Sequence, residues 1–206
     1  MDRVTGRGRS KRQPAARRAA GALLLAAVLG LAACASRRSG DTTYKDPSLD
    51  LDLVQTAAVL PFVNLCSDDK AADRVRDVFS TMLQATGRVY VVPPGETAKA
   101  MLRTQTGRNE EPSTEVIMAV GKAVKAEVVI TGVLREYGLV RSGNSQANAI
   151  ALSIKLYESE GGKLIWSGST SEGGVTMGDR FLGGGGEPME KVTEEAVETI
   201  LDQMFP

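Results

Sequence analysis

The chain has no histidine. That absence removes Ser-His-Asp and Cys-His catalysis, histidine-ligated zinc and the commonest general base. Cysteine is nearly as scarce, with Cys34 and Cys66 the only two among 206 residues. Aromatic residues make up 4% of the chain, and Trp166 is its single tryptophan. No G-x-x-x-x-G-K-[ST] phosphate loop occurs, and Gly183–Gly186 does not follow the dinucleotide-binding pattern. Long apolar runs are missing too. The longest uncharged, Ala/Leu-rich run is Ala19–Ala33, 15 residues, and a permanent helical span needs roughly 20.

What is present is an address. Arg3, Arg7, Arg9, Lys11, Arg12, Arg17 and Arg18 precede the apolar run against one acid, Asp2. A basic start, a short apolar segment and small residues make a secretory signal peptide. The run closes on Leu31-Ala32-Ala33-Cys34, which resembles the bacterial lipobox, where the cysteine is acylated and becomes the mature N-terminus. The expected organisation is a signal peptide over 1–33, a lipidated Cys34 with a flexible tether to residue 55, and one periplasmic domain over 56–206. Ala35 and Ser36 follow the cysteine where an Asp marks inner-membrane retention in enterobacteria. The expected destination is therefore the periplasmic face of the outer membrane.

The whole chain carries 25 basic and 25 acidic residues. The leader takes seven of the basic ones and one acid, which leaves 18 against 24, a net charge near −6. That balance argues against nucleic acid and against a broad electrostatic hold on anionic lipid. Membrane affinity then rests on the acyl chains, at roughly 0.8 kcal/mol per buried CH₂. With Cys34 acylated, Cys66 is one thiol alone, unable to form an internal disulfide or a cysteine zinc site. A small buried side chain is its expected role.

The pattern along 56–206 alternates strands and helices. Ala57–Leu65 is apolar and interrupted by Pro61, which cannot donate to a sheet ladder. Val75, Val78, Phe79, Met82 and Leu83 form a helical stripe after the N-cap candidates Ser67, Asp68 and Asp69, with Gly87 placed to end the helix. Val89–Val92 is a short strand. Glu96–Gln105 is expected as a helix with Ala98, Met101 and Leu102 inward. Ser113 then starts a helix facing inward with Val116, Ile117, Val120 and Val124. Glu127–Glu136 is an interior strand. Residues 138–148 are expected as a polar turn, 150–157 and 163–169 as a hairpin, and 172–187 as a glycine-rich loop. The last helix turns Met189, Val192, Ala196, Ile200 and Met204 inward. Within the tether, Leu49, Leu51 and Leu53 alternate with Asp50 and Asp52, the pattern of an edge strand. The fold class is α+β: a mixed sheet of about five strands with helices mainly on one face. Glu194, Glu195 and Glu198 read as a solvated helix face, and Trp166 as core packing.

Three stretches carry a family resemblance. They are Ala58-Val59-Leu60-Pro61-Phe62 with its helix and Val89–Val92, Ala126–Val133, and Gly162-Lys163-Leu164-Ile165-Trp166-Ser167-Gly168. Together they resemble the CsgG/LpoB-like superfamily of periplasmic lipoproteins, which holds the curli-secretion lipoprotein and the activator of a peptidoglycan synthase. The resemblance implies a protein without enzymatic activity or cofactor. It implies work through contact with envelope proteins, copies of itself among them, in secretion or envelope assembly. Two alternatives follow from it: an activator of a penicillin-binding protein, and a subunit of a curli-type pore. The pore needs membrane strands of about 9–11 residues, and neither 138–148 nor 172–187 reads as such a pair. The activator needs reach, and the expected tether of 22 residues, at most about 75 Å extended, is short for crossing a cell wall.

Overall fold

The computed structural model describes residues 42–48, 50–104, 107, 109–174 and 186–206. Seven strands form one mixed sheet: β1 (Thr42–Lys45), β2 (Thr56–Val59), β3 (Val63–Asn64), β4 (Tyr90–Val91), β5 (Val128–Ser142), β6 (Ser145–Glu158) and β7 (Leu164–Gly173). Their order is β1-β7-β6-β5-β2-β4, with β3 also paired to β5. The four helices are α1 (Ala71–Ala85), α2 (Pro94–Met101), α3 (Thr114–Val124) and α4 (Met189–Met204). The α+β class holds, and the sheet is two strands larger than the periodicity predicts.

The first extra strand comes from Pro61. It splits the expected strand 57–65 into β2 and β3, both parallel to β5. The ladder resumes on either side of the break, where Leu60 donates to the Ile130 carbonyl and Leu65 to that of Leu134, both at 2.9 Å. The second extra strand is β1. It lies inside the segment expected as a tether and pairs antiparallel with β7, Thr42 opposite Ser169 and Lys45 opposite Trp166. The Leu49–Leu53 alternation is not an edge strand. Leu51–Leu53 is a 3-10 turn whose N-cap, Asp50, accepts from the Asp52 N–H, and Leu51 alone of its three residues is buried.

Side chains alternate across a sheet, and here the alternation serves two helix layers. Ala57, Val59, Val128 and Ile130 join α1 and α4 in the larger core. Ala58, Leu60 and Val129 join α2 and α3 in a smaller core on the opposite face. The two long helices thus share one face, and the two short ones cover only the parallel end of the other. Helix α4 buries Val192, Ala196, Val197, Ile200, Leu201 and Met204. Each such Val, Ile, Leu or Met side chain contributes about 1.5–3 kcal/mol through burial, and the Ala196 methyl less.

Local details refine the sequence expectations. The N-cap position of α1 is Lys70, which makes no side-chain cap. Asp68 works one step earlier, accepting from the Lys70 N–H at 2.9 Å and pairing with Arg74. Gly87, at φ +67, follows the end of α1 as predicted. Ser113 sits at the N-cap of α3 without capping the backbone; its hydroxyl bonds the Glu115 carboxylate and lowers that group's pKa. Helix α2 is rotated from expectation: Thr97 and Ala100 are buried, while Ala98 and Leu102 face out. A polar Thr on the inner face disguised the stripe.

The expected polar turn at 138–148 is the end of a long hairpin. β5 and β6 pair continuously from Val128↔Glu158 to Ser142↔Ser145, with one bulge at Leu134/Glu136. The turn is Gly143-Asn144, led by Gly143 at φ +62, as two-residue hairpins favour. The β6–β7 ladder ends at Ala149↔Gly173, but the Gly174 N–H still donates to the Asn148 carbonyl at 2.8 Å and Ala147 is buried beside Gly186, so only the last pairs, Arg141↔Gln146 and Ser142↔Ser145, extend as a short two-stranded arm.

Candidate functional site

Cys34, the site expected from the strongest sequence signal, lies outside the described residues. Among the described residues, a smaller cleft of about 400 Å³ lies between Tyr90, Glu96, Arg103 and Val124, and two others lie at opposite ends of the sheet.

The larger, about 1100 Å³, opens where the parallel strands β2 and β4 end, between α1, α2 and residues 107–112. Ligands in open α/β sheets favour the carboxyl ends of the strands. The lining mixes Pro61, Phe62, Cys66, Met101 and Leu102 with Asp69, Lys70, Asp73, Arg76 and Asp77. Arg76 reaches Asp77 at 3.2 Å. Asn64 and Asn109 tie the cleft wall together: the Asn64 N–H donates to Asn109 Oδ1 at 2.7 Å, and Asn109 Nδ2 donates back to the Asn64 carbonyl at 2.9 Å.

Cys66 is half-buried on that wall. Its thiol approaches the Leu134 carbonyl at 3.7 Å. Burial pushes the thiol pKa up, and the carboxylates of Glu136 and Asp68 add to the effect. A raised pKa means little thiolate at neutral pH, the opposite of a nucleophile's environment. The expected packing role is met, although the side chain is not fully enclosed.

The second cleft, about 850 Å³, lies at the opposite end, among the 3-10 turn, the C-terminus of α3 and the β6–β7 turn. Leu53, Val54, Met118 and Ile165 provide apolar wall; Lys122, Lys125, Glu127, Glu158 and Glu160 form the rim. Leu53 is 75% exposed. Lys125 holds a left-handed φ of +57 at the end of α3, a conformation with a steric cost for a residue bearing a Cβ. Glu127 braces the floor by accepting from the Gln55 N–H at 2.6 Å.

Beside this cleft sits an ion pair between a buried acid and an exposed lysine that sequence reasoning missed. Asp46 is 4% exposed. Its carboxylate pairs with Lys163 and accepts from the Ser48 N–H at 2.9 Å and the Ser48 hydroxyl at 2.6 Å. Those bonds, Lys163's first, hold its pKa far below the ordinary carboxylate range. The Asp46 N–H also donates to the Ile165 carbonyl at 2.9 Å. This residue clamps the end of β1 to the β6–β7 hairpin. Asp-Pro followed by Ser was the available signal, since Asp side chains close such turns.

Trp166 is fully buried in the larger core, as the sequence reading expects. Its ring lies across Gly168, where an added Cβ would collide with it. Phe62 likewise lies across Gly132: an added Cβ there would come within 2.6–2.8 Å of the ring. Two of the three stretches that carry the family resemblance therefore meet in one contact, and the third is built around the other. Neither cleft brings together three or more groups able to hold a metal ion among the described residues. Glu194 and Glu198 of α4 are exposed and Glu195 half-exposed, as a solvated face requires.

No protein-family model matches the chain, and no curated protein matches it by sequence. Solved structures do. A dodecameric PelC from Paraburkholderia phytofirmans superposes with a TM-score of 0.55 at 16% identity, covering 81% of this chain and 98% of that one. Lipoprotein GNA1162 from Neisseria meningitidis gives a TM-score of 0.52 at 15% identity, covering 73% of this chain and 97% of that one. The LpoB C-terminal domain from Escherichia coli gives 0.43 at 16% identity over 60% and 84% of the two chains. At these identities the first two likenesses establish a shared fold, that of a protein described as a lipoprotein and of one that forms a dodecamer.

Proposed function

We propose that this protein is a non-catalytic lipoprotein of the bacterial envelope, acylated at Cys34, that acts by binding other envelope proteins and further copies of itself. The observation that carries the reading is the fold shared with lipoprotein GNA1162 and with dodecameric PelC over most of each chain. The leader and the lipobox supply the anchor. No helix among the described residues is long and apolar enough to cross a membrane, so attachment falls to the acyl chains, several of which give stable anchoring where one is marginal. The outer membrane is the proposed location, from Ala35 and Ser36.

The order of β1 bears on the two alternatives. From Cys34 to Thr42 there are eight residues, at most about 29 Å of chain. A synthase activator working through the cell wall needs more reach than that. The β5–β6 hairpin runs only four pairs beyond the β6–β7 ladder, part of them covered by Gly174 and Gly186, and membrane strands need about 9–11 residues each. Both observations favour an accessory subunit that assembles close to the bilayer.

The test is a pull-down of tagged protein from detergent-solubilised envelopes, with light scattering on the purified material. The reading expects an oligomer or a stable envelope partner, and loss of Cys34→Ser protein from the membrane fraction. A monomer without partners, or unchanged fractionation of the variant, contradicts it. Specific recovery of a peptidoglycan synthase would favour the activator instead.

A further inference from the structure

We infer that the second cleft, at the β6–β7 turn, is where a partner protein docks, and that it takes a short extended segment with an apolar residue between a basic and an acidic one; this deepens the function proposed above and rests on it.

The apolar wall comes first. Leu53 is 75% and Met118 37% exposed, and both line the cleft with Val54 and Ile165. Large apolar side chains left open to water in one concave place mark a contact site. The fold holds them there. Leu53 ends the 3-10 turn whose Leu51 is buried in the larger core, and Arg88 holds the intervening Asp52 at 2.8 Å. Met118 follows Ile117, which is buried in the smaller core. Neither exposed side chain turns inward without its neighbour giving up that packing. The Met118 thioether adapts to occupants of different shape. A volume of about 850 Å³ is that of a cleft enclosing a small ligand. It admits one or two side chains of a segment and excludes a broad protein face.

Charge supplies the flanks. Lys122 and Lys125 stand on the α3 side of the cleft, Glu158 and Glu160 on the side of the β6–β7 turn. None of these four side chains makes an ion pair among the described residues. The other two acids of the lining are engaged by the backbone: Glu127 accepts from the Gln55 N–H at 2.6 Å and Asp50 from the Asp52 N–H at 3.1 Å. The open charges are therefore two cations on one side of the apolar wall and two carboxylates on the other. A segment with its acid towards α3 and its base towards the turn meets opposite charge at both ends. Its apolar residue meanwhile removes Leu53 and Met118 from water. A segment with two like charges meets repulsion at one end. Ser159 lines the same cleft, and its buried hydroxyl has no hydrogen-bond partner, a polar atom that the protein's own groups leave unsatisfied.

The probe is a library of random linear peptides displayed on phage, selected against the full-length lipoprotein purified from membranes. Enriched peptides should share an apolar residue flanked by one Lys or Arg and one Asp or Glu. They should bind Leu53→Asp at least several-fold more weakly, while the melting temperature of that variant, changed at an exposed position, stays that of wild type. Selection against Glu158→Lys with Glu160→Lys should replace the basic flank by a second acid, a gain that misfolding cannot produce. No enrichment, enriched peptides without that pattern, or equal binding to Leu53→Asp overturns the docking cleft. If the tagged protein still recovers an envelope partner or forms an oligomer, the function stands and the site alone falls; a monomer without partners overturns both.

Discussion

Replacing Gly132 by alanine tests the contact in which two of the family-like segments meet. The new methyl would lie 2.6–2.8 Å from three ring atoms of Phe62, well inside van der Waals contact. Phe62 has little room to move: it is 4% exposed, and its ring centroid lies 5.8 Å from that of Phe79 at a tilt of 59°. Overpacking a well-filled core costs about 1–3 kcal/mol. In a domain of this size each kcal/mol moves the melting temperature by about 2–4 °C, so a fall of roughly 4–8 °C is expected for a cost near 2 kcal/mol. Urea denaturation should show a lower midpoint at unchanged slope, because the loss is in native packing. Phe62→Leu alone should also destabilise, by part of the roughly 3–5 kcal/mol of a full truncation to Ala. Combined, the two changes should cost less than their sum, because leucine vacates the space the methyl needs. A coupling of at least ~0.5 kcal/mol is the signature. Strict additivity would refute the idea that Gly132 is there to admit the ring.

Three further outcomes follow from the site geometry. Asp46→Ala should fray β1, seen as faster amide exchange at Thr43–Lys45 with little change in α1; equal protection in both proteins would dismiss the clamp. Because the folded-state pKa of Asp46 is depressed, its contribution is complete above the ordinary carboxylate pKa of about 4 and fades as pH drops below that value. Wild type should therefore lose more stability than Asp46→Asn between about pH 5 and pH 3, the range in which carboxylates titrate, and parallel pH profiles would count against the ion pair. Cys66, with its raised pKa, should react slowly with iodoacetamide at neutral pH in a Cys34→Ser protein and speed up in alkali; fast modification at neutral pH would show a different environment.

The elements whose burial is one-sided were legible in the sequence. α1 and α4 announce themselves because Val75, Phe79 and Leu83, or Val192, Ala196 and Ile200, recur at helical spacing and all point into the larger core. The interior strand β5 shows as an apolar run because both of its faces are covered near Val128–Ile130. What escaped has no such stripe. β1 is Thr-Thr-Tyr-Lys, exposed at all four positions, and exists by pairing with β7 and by the Asp46 clamp. The arm reads as a turn because its residues are largely polar, and ladder hydrogen bonds leave no mark on composition. Both clefts combine residues 40 or more positions apart, which no local motif can announce. The lipidation proposed at Cys34 is the reverse case, since a signal of that kind is written in consecutive residues and is read without reference to the fold.

Strand β5 joins two halves of the sheet with different histories. Its antiparallel partner β6 is the next segment of chain, so that pairing closes a turn of two residues. Its parallel partner β2 lies about seventy positions upstream, Ala57 opposite Val128, and such a pairing waits on a long loop closure. A chain that emerges N-terminus first presents Ala57–Leu60 with nothing yet to pair with it. The apolar strand stays uncovered until another seventy residues have followed, a window in which aggregation competes with folding. Shielding of that strand during the interval is thus a demand imposed by the order of the strands, independent of the task the finished domain performs.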